Sequence, residues 1–377
     1  MKKTIIIVLC FLAVMLGVYF ILPQYVQTAL RYKFPGINDL KVFPYRTVKT
    51  GTPQPYELDA DYNKGEIKDE EYQEIKSYNT VAYLVTRHGR ILYEEYWGKS
   101  TDSTNYNIFS ASKSIISLLV GIAMDKGFII SENELAKKYI PEWGEEYGSI
   151  TIKDLLTMSS GLYWVEDFTS PFCQTTELYY GKDNAKQVLS LEPVKKPGKY
   201  YYYSSANTVI LGIILKNATG MTVSDFASEY LWSKIGAEYD AQWSLDDKGG
   251  IEKANCCFYS NARDLARIGQ LVLNDGQWNG EQVVSKDWLE RSFTPASYLS
   301  DYNDRKVDYY GYQWWLLNYQ GLHIKYACGL YGQDIFVIPE KDMVVVRQGH
   351  KRDREYVGNH TKDVYTYIDA ALEICGE

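Results

Sequence analysis

Histidine is scarce in this chain: four residues in 377, at positions 88, 323, 350 and 360. None stands at the i, i+4 spacing of a zinc-protease helix or in a finger pattern, so no protein metal site is expected. Cysteine is sparse as well, with residues at 10, 173, 256, 257, 328 and 375 and no Cys-x-x-Cys pair. That argues against a disulfide-built scaffold and against a dithiol redox motif. The adjacent Cys256 and Cys257 read as separate core or loop thiols rather than as partners of each other. Positive charge is in deficit, with 40 Lys and Arg against 48 Asp and Glu, a net −8. Nucleic acid is therefore not expected as a partner. Repeats and low-complexity tracts are absent, and a hydrophobic content of 46% is enough for a full core.

There is one long apolar run. Met1-Lys2-Lys3 precedes Ile5 to Leu22, which carries no charge. That length nearly spans a bilayer core and exceeds the usual apolar region of a cleaved signal peptide. No small-residue cleavage site follows, since the next residues are Pro23-Gln24-Tyr25-Val26. Residues 1–23 are thus expected to be a transmembrane signal anchor, with the lipid bilayer as partner. Lys2 and Lys3 place the N-terminus in the cytoplasm and the body outside, in the cell envelope, although Arg31 and Lys33 weaken the bias. Cleavage and secretion is the alternative. Residues 24–75, with Pro35, Pro44, Pro53 and Pro55, read as a stalk and lead-in, and 76–377 as the main domain.

From Val81 the pattern becomes strand, tight turn at His88-Gly89, strand. Ser110 to Asp125 reads as a helix that is apolar almost all round, hence central and buried. Further helices are expected over Ile152–Met158, Asn207–Asn217, Ala262–Leu273 and Ser285–Ser292, with a closing one from Ile368. Strands are expected over Tyr312–Leu317, Leu322–Ala327, Asp334–Ile338 and Met343–Gln348. Sheet residues at both chain ends with helices between them predict an α+β fold.

Three strings carry chemistry. Ser110-Ala-Ser-Lys113 opens the most buried helix, and i, i+3 spacing lets Ser110 and Lys113 touch. Desolvation lowers a lysine pKa and makes the neutral amine accessible as a base. Tyr200-Tyr-Tyr-Tyr203 precedes the helix entered at Ser204-Ser205, where a phenol can point into a cleft and ionise more easily beside an ammonium. Gly329-Leu-Tyr-Gly332 joins two apolar strands, where glycine permits close backbone approach and a strand-edge N–H can face an oxyanion.

The chain resembles the serine β-lactamase and penicillin-binding-protein superfamily, most of all its 6-aminohexanoate-dimer hydrolase branch. The matching strings are Phe109-Ser-Ala-Ser-Lys-Ser114, Ile150 to Leu162, Tyr203-Ser-Ser-Ala-Asn-Thr208, Asn261 to Gly269, Gly311-Tyr-Gln-Trp-Trp315 and Gly329 to Pro339. They fall in family order over roughly residues 75 to 375. The resemblance implies a β-lactamase-like fold, an antiparallel sheet flanked by helices plus a mostly helical region. It implies Ser110 as nucleophile, Lys113 as base and Tyr203 as proton-transfer residue. The N–H groups of Ser110 and Leu330 would form the oxyanion hole. Ser205 and Gly329, which stand in these strings, are expected at the substrate site; Trp164, Trp314, Tyr163, Glu166 and Asp167 are candidate cleft residues from the sequence itself, with surface or core places as the alternative.

The implied activity is hydrolysis of a small amide or ester through an acyl-enzyme, with no cofactor. Two departures bear on it. Ala327-Cys328-Gly329 stands where penicillin-recognising enzymes have Lys-Thr-Gly, and Ser205 stands in the Asn position of the Tyr-x-Asn motif. Both favour the amidase and esterase branch over a D,D-peptidase or β-lactamase. A catalytically silent tethered binding protein is the other alternative, and the intact Ser110, Lys113 and Tyr203 weigh against it.

Overall fold

Period-two alternation builds the central sheet. In Met343–Gly349, Val344 and Val346 pack into one apolar cluster while Met343 and Val345 pack into another on the opposite face. Both faces are covered, which is why these strands read as unbroken apolar runs. The computed structural model describes residues 2–376. The elements used below are helices α1 (Lys2–Ile21), α2 (Gln24–Tyr32), α3 (Asp69–Ser77), α4 (Ser112–Asp125), α5 (Gln174–Tyr180), α6 (Ser205–Thr219), α7 (Ala262–Leu273) and α8 (Lys362–Ile374). The sheet strands are β1 (Thr80–Arg87), β2 (Arg90–Tyr96), β3 (Trp315–Tyr319), β4 (Leu322–Gly329), β5 (Gln333–Ile338) and β6 (Met343–Gly349).

The six strands are ordered β2-β1-β6-β5-β4-β3, every neighbouring pair antiparallel. Strands from the start and the end of the domain meet where β1 pairs with β6, with Val345 opposite Val85. On one face α7 packs against Val344 and Ile335; a Cβ at Gly269 would strike Val344, so the helix can lie this close only with glycine there. On the other face α8 and Ile75 of α3 cover Tyr83, Phe336 and Val345. The helical region packs beside the sheet, with α4 and α6 at its centre and buried on nearly all sides.

The string Asn261 to Gly269 is structural. Asp264 is buried and accepts hydrogen bonds from the N–H groups of Glu238 (2.7 Å) and Tyr239 (3.0 Å), from Asn261 Nδ2 (2.8 Å) and from Arg267 Nε (3.2 Å). Asp264→Ala would strand these donors and leave Arg267 short of a counter-charge in the interior. The expected cost is about 3 kcal/mol or more, read as a lower midpoint in thermal or urea unfolding.

Several expectations are corrected. The edge strand begins at Trp315, not Tyr312, because Gln313 adopts a left-handed conformation (φ 63°) and the chain turns there. The closing helix starts six residues earlier than expected, at Lys362. Ser110 lies in a 3₁₀ turn, Phe109–Ala111, that leads into α4 rather than in the α-helix itself. A second, four-stranded sheet of residues 45–48, 241–244, 258–260 and 106–107 was not anticipated, since its strands are two to four residues long. The segment 24–75, expected as a stalk and lead-in, is packed onto the body: Val26, Ile37, Val48 and Ile75 are all fully buried. α1 is long and apolar enough to cross a membrane or to serve as a signal sequence, and none of it is buried in the body.

Candidate active site

The turn before α4 is held by one side chain. Asn107 Oδ1 accepts from the N–H of Phe109 (2.8 Å) and of Cys257 (3.0 Å). Phe109 sits in the left-handed region at φ 46°, a strained conformation for a bulky residue, and its ring packs on Tyr179 and Tyr331. This anchored turn presents Ser110, half-buried, at the mouth of α4. A Cβ at Gly329 would collide with the carbonyl of Ile108, so glycine is what lets the end of β4 close against the same turn. Ser110 and Leu330 thereby line one hollow of about 20 Å³, room for roughly a single water molecule.

One turn further along α4, Lys113 is 1% exposed. Its Nζ donates to Ser110 Oγ (2.9 Å), to Ser205 Oγ (3.2 Å) and to the carbonyl of Asn255 (3.1 Å). Burial pushes its pKa down to about 8, against the opposing pull of the Glu166 charge. The same nitrogen stands 5.0 Å from the centre of the Tyr203 ring. Of the four consecutive tyrosines, Tyr201 is buried against Tyr309 and Tyr310, Tyr202 is exposed and Tyr203 is the one whose ring lies against the lysine amine. The sequence suggested that the phenol would ionise more easily there. The structure reverses this: burial first, and the Glu166 charge second, raise the Tyr203 pKa, with a contact to Ser110 acting the other way.

Glu166 is the residue whose part in the site the sequence left open. It accepts from Ser205 Oγ (2.6 Å), Ser205 N–H (2.8 Å) and Trp164 Nε1 (2.6 Å). A chain of hydrogen bonds therefore runs Glu166, Ser205, Lys113, Ser110. It was hard to find because Glu166 lies in an irregular loop with no periodicity. Asn255 contributes only a backbone carbonyl, which no residue type signals. Trp164 is nearly fully buried and holds Glu166 instead of facing the hollow. Trp314 is not a cleft residue: it is fully buried against Phe293. Its neighbour Trp315, the first residue of β3, is the one that stacks on Tyr203, ring centres 6.0 Å apart.

The site carries two further features. Cys256 and Cys257 are joined in a disulfide, contrary to the expectation of two separate thiols; Cys257 takes a left-handed φ of 65° at the end of the turn that begins at Lys253. Cys256 is part of the wall of the Ser110 hollow. Cys328, in the place of the Thr of Lys-Thr-Gly, accepts from Arg352 Nη1 at 3.2 Å. Among the described residues no group of three His, Cys, Asp or Glu side chains is placed to hold a metal. A surface hollow of about 650 Å³ lies between α2 and residues 174–192 and is not lined by Ser110 or Lys113.

A serine on a tight turn, a buried amine on the helix that follows and a flanking phenol are side chains from which acyl-transfer chemistry can be built. The Beta-lactamase family profile matches residues 69–359. The chain belongs to the Beta-lactamase family. Within it, the chain is 29% identical over 294 residues to the 6-aminohexanoate-dimer hydrolase of Paenarthrobacter ureafaciens, covering 73% of this chain and 74% of that one. Two solved structures share the fold. One is a Bacillus anthracis protein provisionally named a 6-aminohexanoate-dimer hydrolase, with TM-score 0.77, 21% identity and coverage of 92% and 93%. The other is a family VIII carboxylesterase, with TM-score 0.65, 18% identity and coverage of 85% and 99%.

Proposed function

We propose that the protein is a serine hydrolase that cleaves an amide or ester bond through an acyl-enzyme on Ser110. The observation that carries this reading is the 2.9 Å hydrogen bond from the buried Lys113 amine to Ser110 Oγ. With its pKa pushed down to about 8, Lys113 is neutral in an appreciable fraction of molecules at neutral pH. Neutral Lys113 takes the Ser110 proton as Oγ bonds to the substrate carbonyl carbon. The tetrahedral oxyanion is stabilised by the N–H groups of Ser110 and Leu330. Tyr203, kept as a neutral phenol by burial, gives its proton to the leaving nitrogen or oxygen and recovers one from the Lys113 ammonium. Water, deprotonated by the same pair, then releases the acid and regenerates Ser110.

The lysine of Lys-Thr-Gly is replaced by Ala327, so the ammonium that would meet a substrate carboxylate from that position is missing. This favours the amidase and esterase reading over a β-lactamase or D,D-peptidase. The apolar α1, with no charge after Lys3, supports anchoring in a membrane with the catalytic domain on the outer side. The test is turnover of 4-nitrophenyl acetate, short amides, a D-Ala-D-Ala peptide and nitrocefin. Hydrolysis of the ester or the amides, with nitrocefin spared, is expected. No turnover of any of them and no labelling by a fluorophosphonate would favour a silent binding protein.

Glu166→Gln removes the anion that opposes the Lys113 shift while keeping the shape of the side chain. The Lys113 pKa then falls further. The rising limb of kcat/KM against pH is expected to move to lower pH, by on the order of one unit. A pH profile of the purified variant measures this directly.

A further inference from the structure

The hollow at Ser110 has room for the reacting carbonyl but not for the rest of a substrate, and its wall is shared. Pro35, Phe168 and Tyr179 line both that hollow and a second cavity of about 230 Å³. The second cavity is bounded on one side by Leu30 and Phe34, at the end of α2, and on the other by Phe168 and Pro171. Its mouth is apolar and uncovered: Phe34 is 73% exposed, Leu30 50% and the neighbouring Phe172 59%. Exposed aromatic and aliphatic side chains gathered around one opening mark a surface that meets another apolar phase.

That opening is tied to the membrane end of the chain. α2 begins three residues after α1 ends, and its nine residues rise about 14 Å. The chain beyond it is pinned to the catalytic wall. The Tyr180 hydroxyl donates to the Lys33 carbonyl (3.3 Å), the Tyr331 hydroxyl to the Pro35 carbonyl (3.1 Å) and the Asn107 N–H to the Ile37 carbonyl (2.9 Å). Asn107 is the residue that also holds the turn before Ser110. The segment between the apolar helix and the domain thus forms one wall of the cavity, and Leu30 on its rim stands nine residues along the chain from the end of α1 at Ile21.

We propose that the substrate is an amphiphile resident at the bilayer surface, its apolar chain lying in the 230 Å³ cavity while its ester or amide carbonyl reaches Ser110. This rests on the hydrolase reading and adds the substrate class to it. Lys33, at the rim of the same cavity, is placed to meet a polar or anionic headgroup.

The test uses the full chain reconstituted in phosphatidylglycerol vesicles. Each methylene buried is worth about fourfold, so kcat/KM should rise by at least about tenfold from acetyl to octanoyl in 4-nitrophenyl esters, or from ethyl to octyl in alkyl acetates. Leu30→Trp fills the cavity from α2 and should abolish most of that gain, bringing the octanoate rate down towards the acetate rate. Ile130→Trp, at an exposed site outside the cavity, should leave both as they are. Membrane-dissolved 4-methylumbelliferyl oleate should also be turned over. A flat chain-length response in both series, with acetate still cleaved through Ser110, overturns this proposal and leaves the hydrolase standing. A preference untouched by Leu30→Trp overturns the cavity assignment, and turnover of the soluble octanoate without the oleate overturns the membrane source. Unchanged acetate hydrolysis by Ser110→Ala would instead remove the hydrolase reading itself.

Discussion

Ser110→Ala is expected to lower kcat/KM on 4-nitrophenyl acetate by about 10³-fold or more with the fold intact. The large effect follows from the loss of the covalent route: without Oγ, no acyl-enzyme forms and only the oxyanion donors and binding remain. The stability cost should be small, because Ser110 is half-buried and its hydroxyl is one of three acceptors of the Lys113 amine. The control is a thermal melt of both proteins at the same pH. Midpoints that agree while the rates diverge assign the loss to chemistry.

Lys113→Met should lose about 10²- to 10⁴-fold, the range for removing a general base. Its pH dependence is more informative than its size. In the parent, activity requires the neutral amine, so kcat/KM climbs as pH rises through about 8 and levels above it. The residual activity of Lys113→Met should show no inflection there. Stability moves in the same direction with pH. A lysine whose pKa falls from 10.5 to about 8 on folding binds fewer protons folded than unfolded between those values. The parent therefore gains stability as pH rises through that window and carries the full cost of the buried ammonium below it. Methionine, of similar length and uncharged, avoids that cost, so the variant at pH 7 is expected to melt no lower than the parent. Activity lost together with a stability kept or gained separates a catalytic amine from a structural one.

The adjacency of Ser110 and Lys113 was legible because the two stand three apart at the start of a helix that is buried and apolar almost all round. The strands around Phe336 and Val345 were legible because burial on both faces leaves continuous apolar runs. What escaped has physical reasons. The docking of residues 24–43 rests on single buried side chains such as Val26, Ile37 and Phe43, spaced without helical or strand period, and on carbonyls accepting from distant tyrosines. The exchange of Trp314 for Trp315 follows from the turn at Gln313, which sends Trp314 into the core before the strand begins at Trp315. Glu166 acts through Ser205 and not on Ser110 directly, so no spacing rule connects it to the nucleophile. The bond between Cys256 and Cys257 depends on a left-handed turn that neither cysteine signals.

The most direct measurement of the central claim is the site and pH dependence of labelling by a fluorophosphonate, mapped by peptide mass spectrometry. The account predicts a single adduct on Ser110, formed at a rate that rises with pH through about 8 in the parent and is slow and without that inflection in Lys113→Met. An adduct on another residue, or labelling of Ser110 that proceeds equally well without Lys113, would contradict it.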